Sequence, residues 1–192
     1  MPSKRKQLDE LNKYWQENCK CELKKTAKQA VFGDGNAESE IVFIGEAPGK
    51  NEDLNGTPFV GVSGKVLDEM LKSINKKREN IYITNIVKYR PPNNRDPKPD
   101  EKKDCNEWLI NELTIISPKL IVLLGRHSML RFFPKEKIGA IHGKLQIINT
   151  TEFGEQAFLP LYHPATALYN RNMRETLIKD FKKIQKALEK LG

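Results

Sequence analysis

The chain has 192 residues, 38% of them hydrophobic and 30% charged, with a formal net charge of +8. That length suits one compact domain spanning 1–192, and that composition excludes a disordered chain. No apolar run approaches the roughly 20 residues of a membrane span, so membrane classes drop out, while the excess of Lys and Arg favours a polyanionic partner.

The first residues, MPSKRKQLDE, carry no apolar leader segment, and the cysteines number three, Cys19, Cys21 and Cys105. A reducing, cytoplasmic setting without a disulfide framework is therefore expected. Residues 5–18 predict a helix with Leu8, Leu11 and Trp15 on one face. Residues 19–38 read as irregular, with GDGN as a turn. IVFIG (41–45) is a continuous apolar run and predicts a buried parallel strand. The loop GEAPGKNEDLNGTPFVG (45–61) follows it, and SGKVLDEMLKSI (63–74) then shows helical spacing, with Ser63 as a candidate cap.

IYITNIV (81–87) predicts a second strand, followed by the proline-rich YRPPNNRDPKPD (89–100). Residues 101–116 predict a helix whose core stripe is Trp108, Leu109, Leu113 and Ile116. KLIVLLG (119–125) predicts a third strand, and HSMLRFF (127–133) a short helix. KLQIINT (144–150) and QAFLPLYH (156–163) read as a late strand pair. RETLIKDFKKIQKALEKL (174–191) predicts an amphipathic C-terminal helix. Strands alternating with helices imply an α/β sandwich with a mainly parallel sheet, in which ligands bind beyond the carboxyl ends of the strands. The loops around 45–61, 89–100 and YHPAT (162–166) converge there and predict one shared site.

In the first loop, glycines allow backbone to approach a ligand closely, but neither the Walker pattern nor G-x-G-x-x-G is present, and Glu46, Glu52 and Asp53 would repel phosphate. Phe59 reads either as a core residue or as an aromatic platform. Asn85 ends the second strand and offers donors and an acceptor to a planar polar edge, or else caps a turn. Arg90, Arg95 and Lys98 stiffen a basic loop suited to phosphates. His163 stands after an apolar strand and is fixed by Pro164; His127 and His142 carry less weight. No Ser-His-Asp or H-E-x-x-H pattern occurs, and Cys19-x-Cys21 is too tightly spaced for a usual zinc site.

Taken in order, GEAPGKNEDLNGTPFVG, SGKVLDEML, TNIVKYRPPNNRDP, KLIVLLG and YHPAT resemble the uracil-DNA glycosylase superfamily, and within it family 4, over most of residues 41–180. The resemblance implies a three-layer α/β/α sandwich around a four-stranded, mainly parallel sheet. It implies a repair enzyme that flips uracil out of single- or double-stranded DNA and hydrolyses its N-glycosidic bond; a monomer is expected, and the missing targeting signal makes a cytoplasmic, nucleoid-associated setting the default. It implies that Phe59 stacks on the flipped base, that Asn85 reads the O4 and N3 edge, that Glu46 and Ala47 line the pocket, and that His163 donates to O2 as charge builds there. Many members place an Asp where this chain has Ala47, so another carboxylate must position water. Glu52 is the first candidate and Glu46 the second, with Asn94 helping. Arg90, Arg95, Pro164, Ala165, Thr166, Asn170 and Arg171 resemble the DNA-contacting positions. Alternative readings are a glycosylase for hypoxanthine or mismatched thymine and a non-catalytic uracil-DNA binder.

Family 4 normally carries a [4Fe–4S] cluster on four cysteines. Here Tyr89 stands at the third ligand position and Asn18 at the first, so only Cys21 and Cys105 fit the pattern. Two thiolates cannot supply four ligands. No metal or cofactor is therefore expected, a [4Fe–4S] cluster being the alternative, and Tyr89 and Trp15 are expected to fill the space.

Overall fold

Residues 2–192 are described by a computed structural model. Its frame is a six-stranded sheet in the order β1-β3-β2-β4-β6-β5. The strands are β1 (Asp34–Gly35), β2 (Ile41–Gly45), β3 (Tyr82–Asn85), β4 (Leu120–Leu124), β5 (Gln146–Thr150) and β6 (Gly154–Leu161). The four central strands β3, β2, β4 and β6 are parallel, and β1 and β5 add antiparallel edges. The sheet is thus wider than the four strands expected. The GDGN segment serves as more than a turn, because Asp34 and Gly35 pair with Ile83 and Tyr82.

The central strands are apolar on both faces, and the pleat sends alternate side chains into two separate cores. Val42, Ile44, Tyr82, Ile121, Leu123 and Phe158 face one core with Trp108 and Leu109. Ile41, Phe43, Ile83, Val122 and Leu159 face the other with Leu67, Met70, Leu177 and Phe181. The first core is covered by helices α1 (Lys4–Asn18) and α4 (Pro99–Ile116). The second is covered by α3 (Val62–Lys72) and α8 (Arg171–Leu191), which gives the three layers.

The short helix α2 (Lys50–Asn55) lies inside the glycine-rich loop, where turn residues mask its single turn and a half. Helix α3 is capped by Gly61, so Ser63 sits inside the helix instead of capping it. The remaining helices are α5 (Arg126–Phe132), α6 (Ile138–Ile141) and α7 (Thr166–Tyr169). Among the described residues no helix is long and apolar enough to cross a membrane.

Candidate active site

The loops after β2, β3 and β6 meet beyond the carboxyl ends of those strands and enclose a cavity of about 400 Å³. Glu46, Ala47, Glu52, Phe59, Asn85, Asn94, Arg95, His163 and Ala165 all line it, so the structure brings together residues up to about 120 positions apart in sequence.

Asn85 is buried at the end of β3, and its Oδ1 has no hydrogen-bond partner. An unpartnered buried acceptor costs about 1–3 kcal/mol, so its persistence marks a position awaiting a donor. Two features hold it there. Gly45 opposes it in the parallel ladder, and a Cβ at that glycine would fall 2.6 Å from the Phe59 Cζ and closer still to Asn85 Oδ1. Behind the strand end, Glu112 accepts from the Tyr82 hydroxyl (2.8 Å), the Thr84 hydroxyl (2.9 Å) and the Lys88 ammonium (2.6 Å). Lys88 and Glu112 are both fully buried. This network, whose members are separated by up to 30 residues, clamps the residue next to Asn85 and was not expected from local sequence.

Phe59 is a core residue that also reaches the cavity. It is 5% exposed and belongs to the second core, yet one part of its ring lines the cavity. Its backbone is left-handed, at φ 53°, a conformation that needs outside support in a bulky residue. Arg78 supplies that support: its guanidinium donates to the carbonyls of Pro58 (3.1 Å), Phe59 and Gly64 and pairs with Asp68 (2.6 Å). Nothing in the motif pattern pointed to Arg78.

Glu52 occupies its two carboxylate oxygens with backbone N–H groups of the same loop, accepting from Gly61 at 2.7 Å and from Gly49 at 3.1 Å. Asp53 is also turned inward and accepts from the Lys28 N–H at 2.8 Å. Glu52 and Asp53 therefore hold the loop in shape.

His163 stacks on Phe59, with ring centroids 5.6 Å apart. Its Nδ1 accepts from the Ala165 N–H at 3.1 Å, which leaves the proton on Nε2. Burial lowers its pKa to about 4, so the ring is a neutral Nε2–H donor at physiological pH. Pro164 and Ala165 act through this turn.

Glu46 follows β2 directly, and its carboxylate is pushed up to about 7, first by burial and then by the Asp96 charge, against the opposing effect of Lys102 and Arg126. Its Oε1 lies 3.7 Å from the His127 Nε2, which in turn lies 3.1 Å from Asp96. Ala47 contributes a small apolar wall and no ionisable group.

Of the basic positions, Arg90 donates to the Asn94 Oδ1 at 2.7 Å, which uses that acceptor. Arg95 makes a two-point pair with Glu101 at 2.8 and 2.5 Å, fixing the proline-rich loop to the start of α4. Asn170 caps α8 by accepting from the Asn172 N–H at 3.0 Å, and Arg171 stands exposed in the first turn of that helix.

The three cysteines are buried and unbridged, and the Cys21 thiol donates to the Glu101 carbonyl at 3.8 Å. Cys105 neighbours Cys19 as well as Cys21, so Cys19 joins the two thiols at the expected positions. That contact lowers Cys19 to about 6 and raises Cys105. Tyr89 fills the fourth corner: its hydroxyl is buried without a partner, and burial and the neighbouring thiols push its ionisation well above the usual phenol range. The Tyr89 ring packs edge-on against Trp108, which stacks on Trp15. Three thiols and a neutral phenol supply one ligand fewer than the four thiolates such a cluster requires, and no chemical step is derived through one.

Comparison with known proteins adds an independent line. Residues 32–192 match the family described as the uracil DNA glycosylase superfamily. The chain is 48% identical over 175 residues to the type-4 uracil-DNA glycosylase of Saccharolobus solfataricus, covering 88% of this chain and 81% of that one. It is 46% identical to the protein of the same name from Archaeoglobus fulgidus, over 86% of this chain and 85% of that one. The protein of that name from Thermotoga maritima is 37% identical, over 90% of each chain.

Proposed function

The chain belongs to the uracil DNA glycosylase superfamily, and on that premise we propose that it is a DNA-repair enzyme that flips uracil out of DNA and hydrolyses its N-glycosidic bond. The observation that carries the reading is the buried, unpartnered Asn85 Oδ1 facing the same cavity as Phe59 and the His163 Nε2–H. Uracil offers an N3–H to that oxygen and an O4 acceptor to the Asn85 amide, while cytosine reverses both and is rejected. Phe59 stacks on the base. His163 donates from Nε2 to O2 as negative charge develops on the leaving uracil, and a neutral donor suffices for this.

Water attacks C1′ as the C1′–N1 bond breaks, and the bonding pair leaves with uracil. The water proton passes to Glu46, which, unlike Glu52, is not spent on holding its own loop. Glu52 keeps the role of shaping that loop, and Asn94 orders the approach to it. Arg90, Arg171 and the capped N-terminus of α8 hold DNA phosphates without reading sequence. The reaction as written needs no metal or cluster.

A strand-nicking assay on DNA bearing uracil, hypoxanthine or mismatched thymine at one site, followed by alkali, tests the reading. Cleavage at uracil alone supports it. Preferential cleavage at either other base would replace uracil as the substrate, and tight binding without cleavage would make the chain a binder.

A further inference from the structure

Glu46 does not stand alone at the cavity edge. Its carboxylate, the Asp96 carboxylate and the His127 imidazole have ligating atoms that all lie within 4.8 Å of one another. They come from three different segments: the end of β2, the proline-rich loop and the first turn of α5. Two cations already face the group. Lys102 of α4 approaches the His127 Nδ1 at 3.5 Å, and Arg126 pairs with Asp96 at 3.6 Å. The spacing resembles that of cation ligands, but these two side chains supply the positive charge instead.

Both ring nitrogens of His127 face a cation: Nδ1 meets the Lys102 ammonium at 3.5 Å, and Nε2 meets the Arg126 guanidinium at 3.1 Å as well as Asp96 Oδ2 at 3.1 Å, with Glu46 Oε1 at 3.7 Å. Burial is the main cause holding His127 below its ordinary pKa, so the ring is neutral.

We propose that Asp96 and His127 are positioning residues for Glu46: the His127 ring stands against its carboxylate and anchors Asp96 and Arg126 beside it, and the Asp96 charge controls when that carboxylate can take a proton from the attacking water. This rests on the reading of Glu46 as the water-activating base. A carboxylate with an ordinary pKa would be a poor proton acceptor at neutral pH, whereas one poised near 7 combines a useful ionised fraction with basicity. The groups that set its charge balance are Asp96 on the one side and Lys102 and Arg126 on the other.

The test is the single-turnover rate of uracil release against pH, in chelator throughout, for the wild type, Asp96→Asn, Arg126→Gln, His127→Gln, His127→Leu and Glu46→Gln. Asp96 and Arg126 have side chains 66% and 61% exposed, so their replacement leaves the fold intact. Removing the Asp96 charge should move the acid limb to lower pH, and removing Arg126 should move it to higher pH, each by about half a unit or more. His127→Leu should lower the rate constant about tenfold with little change in KM, and His127→Gln, which keeps polar atoms to hold Asp96 and Arg126, should recover most of it. Opposite shifts are the decisive result, because a merely structural role moves both variants alike. If Glu46→Gln loses activity while the Asp96 and Arg126 variants keep the wild-type limb, the positioning role is wrong and Glu46 remains the base. If Glu46→Gln retains the wild-type rate, the base assignment fails and the positioning role with it.

Discussion

Asn85→Leu separates stability from activity at one residue. Leucine has nearly the shape of asparagine but no polar atoms. In the free protein the substitution removes a buried acceptor that has no partner, and relief of that penalty is worth about 1–3 kcal/mol. For a chain of this size each kcal/mol moves the melting temperature by about 2–4 °C. The variant should therefore melt a few degrees higher than the wild type by calorimetry. The same change deletes the amide that pairs with O4 and N3–H. A two-point base contact is worth about 1–3 kcal/mol, so kcat/KM for uracil release should fall roughly 5- to 150-fold. A variant that melts lower and still excises uracil at the wild-type rate would refute the argument on both counts, since Asn85 would then be a structural residue whose Oδ1 finds a partner.

Other perturbations probe the supports. Gly45→Ala should depress uracil release strongly while the protein stays folded, because its Cβ would meet Phe59 and Asn85 inside the pocket; a crystal structure or a rate at wild-type level would show otherwise. Glu112→Leu should cost about 3–5 kcal/mol in denaturant unfolding, since it strands the fully buried Lys88 ammonium. Glu46→Gln should stabilise the fold increasingly as pH rises. The folded carboxylate titrates at about 7 instead of in the ordinary range, so the wild type loses stability between those values while the amide does not. Melting curves of the two proteins should converge near about pH 4–5 and separate by about pH 8. His163→Gln should slow uracil release yet keep the acid limb near 7, because His163 itself titrates at about 4.

Much of this site was legible in the sequence because its parts are local. IVFIG, IYITN and KLIVLLG are apolar on both pleat faces, so they read as buried parallel strands, and the residues just past each strand had to meet at one end of the sheet. Asn85, Phe59 and His163 follow from that rule together with the resemblance. What stayed hidden was pairwise and distant. Arg78 reaches back 19 residues to hold the Phe59 carbonyl. Glu112 lies in the C-terminal half of α4, where a charge reads as a solvent-facing position, yet it is fully buried against Lys88 and Thr84. His127 and Asp96 each look unremarkable alone and acquire a role only beside Glu46. Glu52 shows the opposite case: its place in the loop suggested water activation, whereas its two backbone hydrogen bonds tie it to loop geometry. The cysteines carried a similar trap, since C-x-C spacing excluded Cys19 from the expected pattern, but the turn after α1 buries it in the same core as Cys21 and Cys105.

The most direct test of the central claim is free-uracil release under single-turnover conditions from DNA with one uracil, placed opposite G, opposite A or unpaired. The wild type should release uracil from all three, and Asn85→Leu and His163→Ala should each lose most of that activity while remaining folded. Release that persists undiminished in both variants, or a folded wild-type protein that releases none, would contradict the assignment of this pocket.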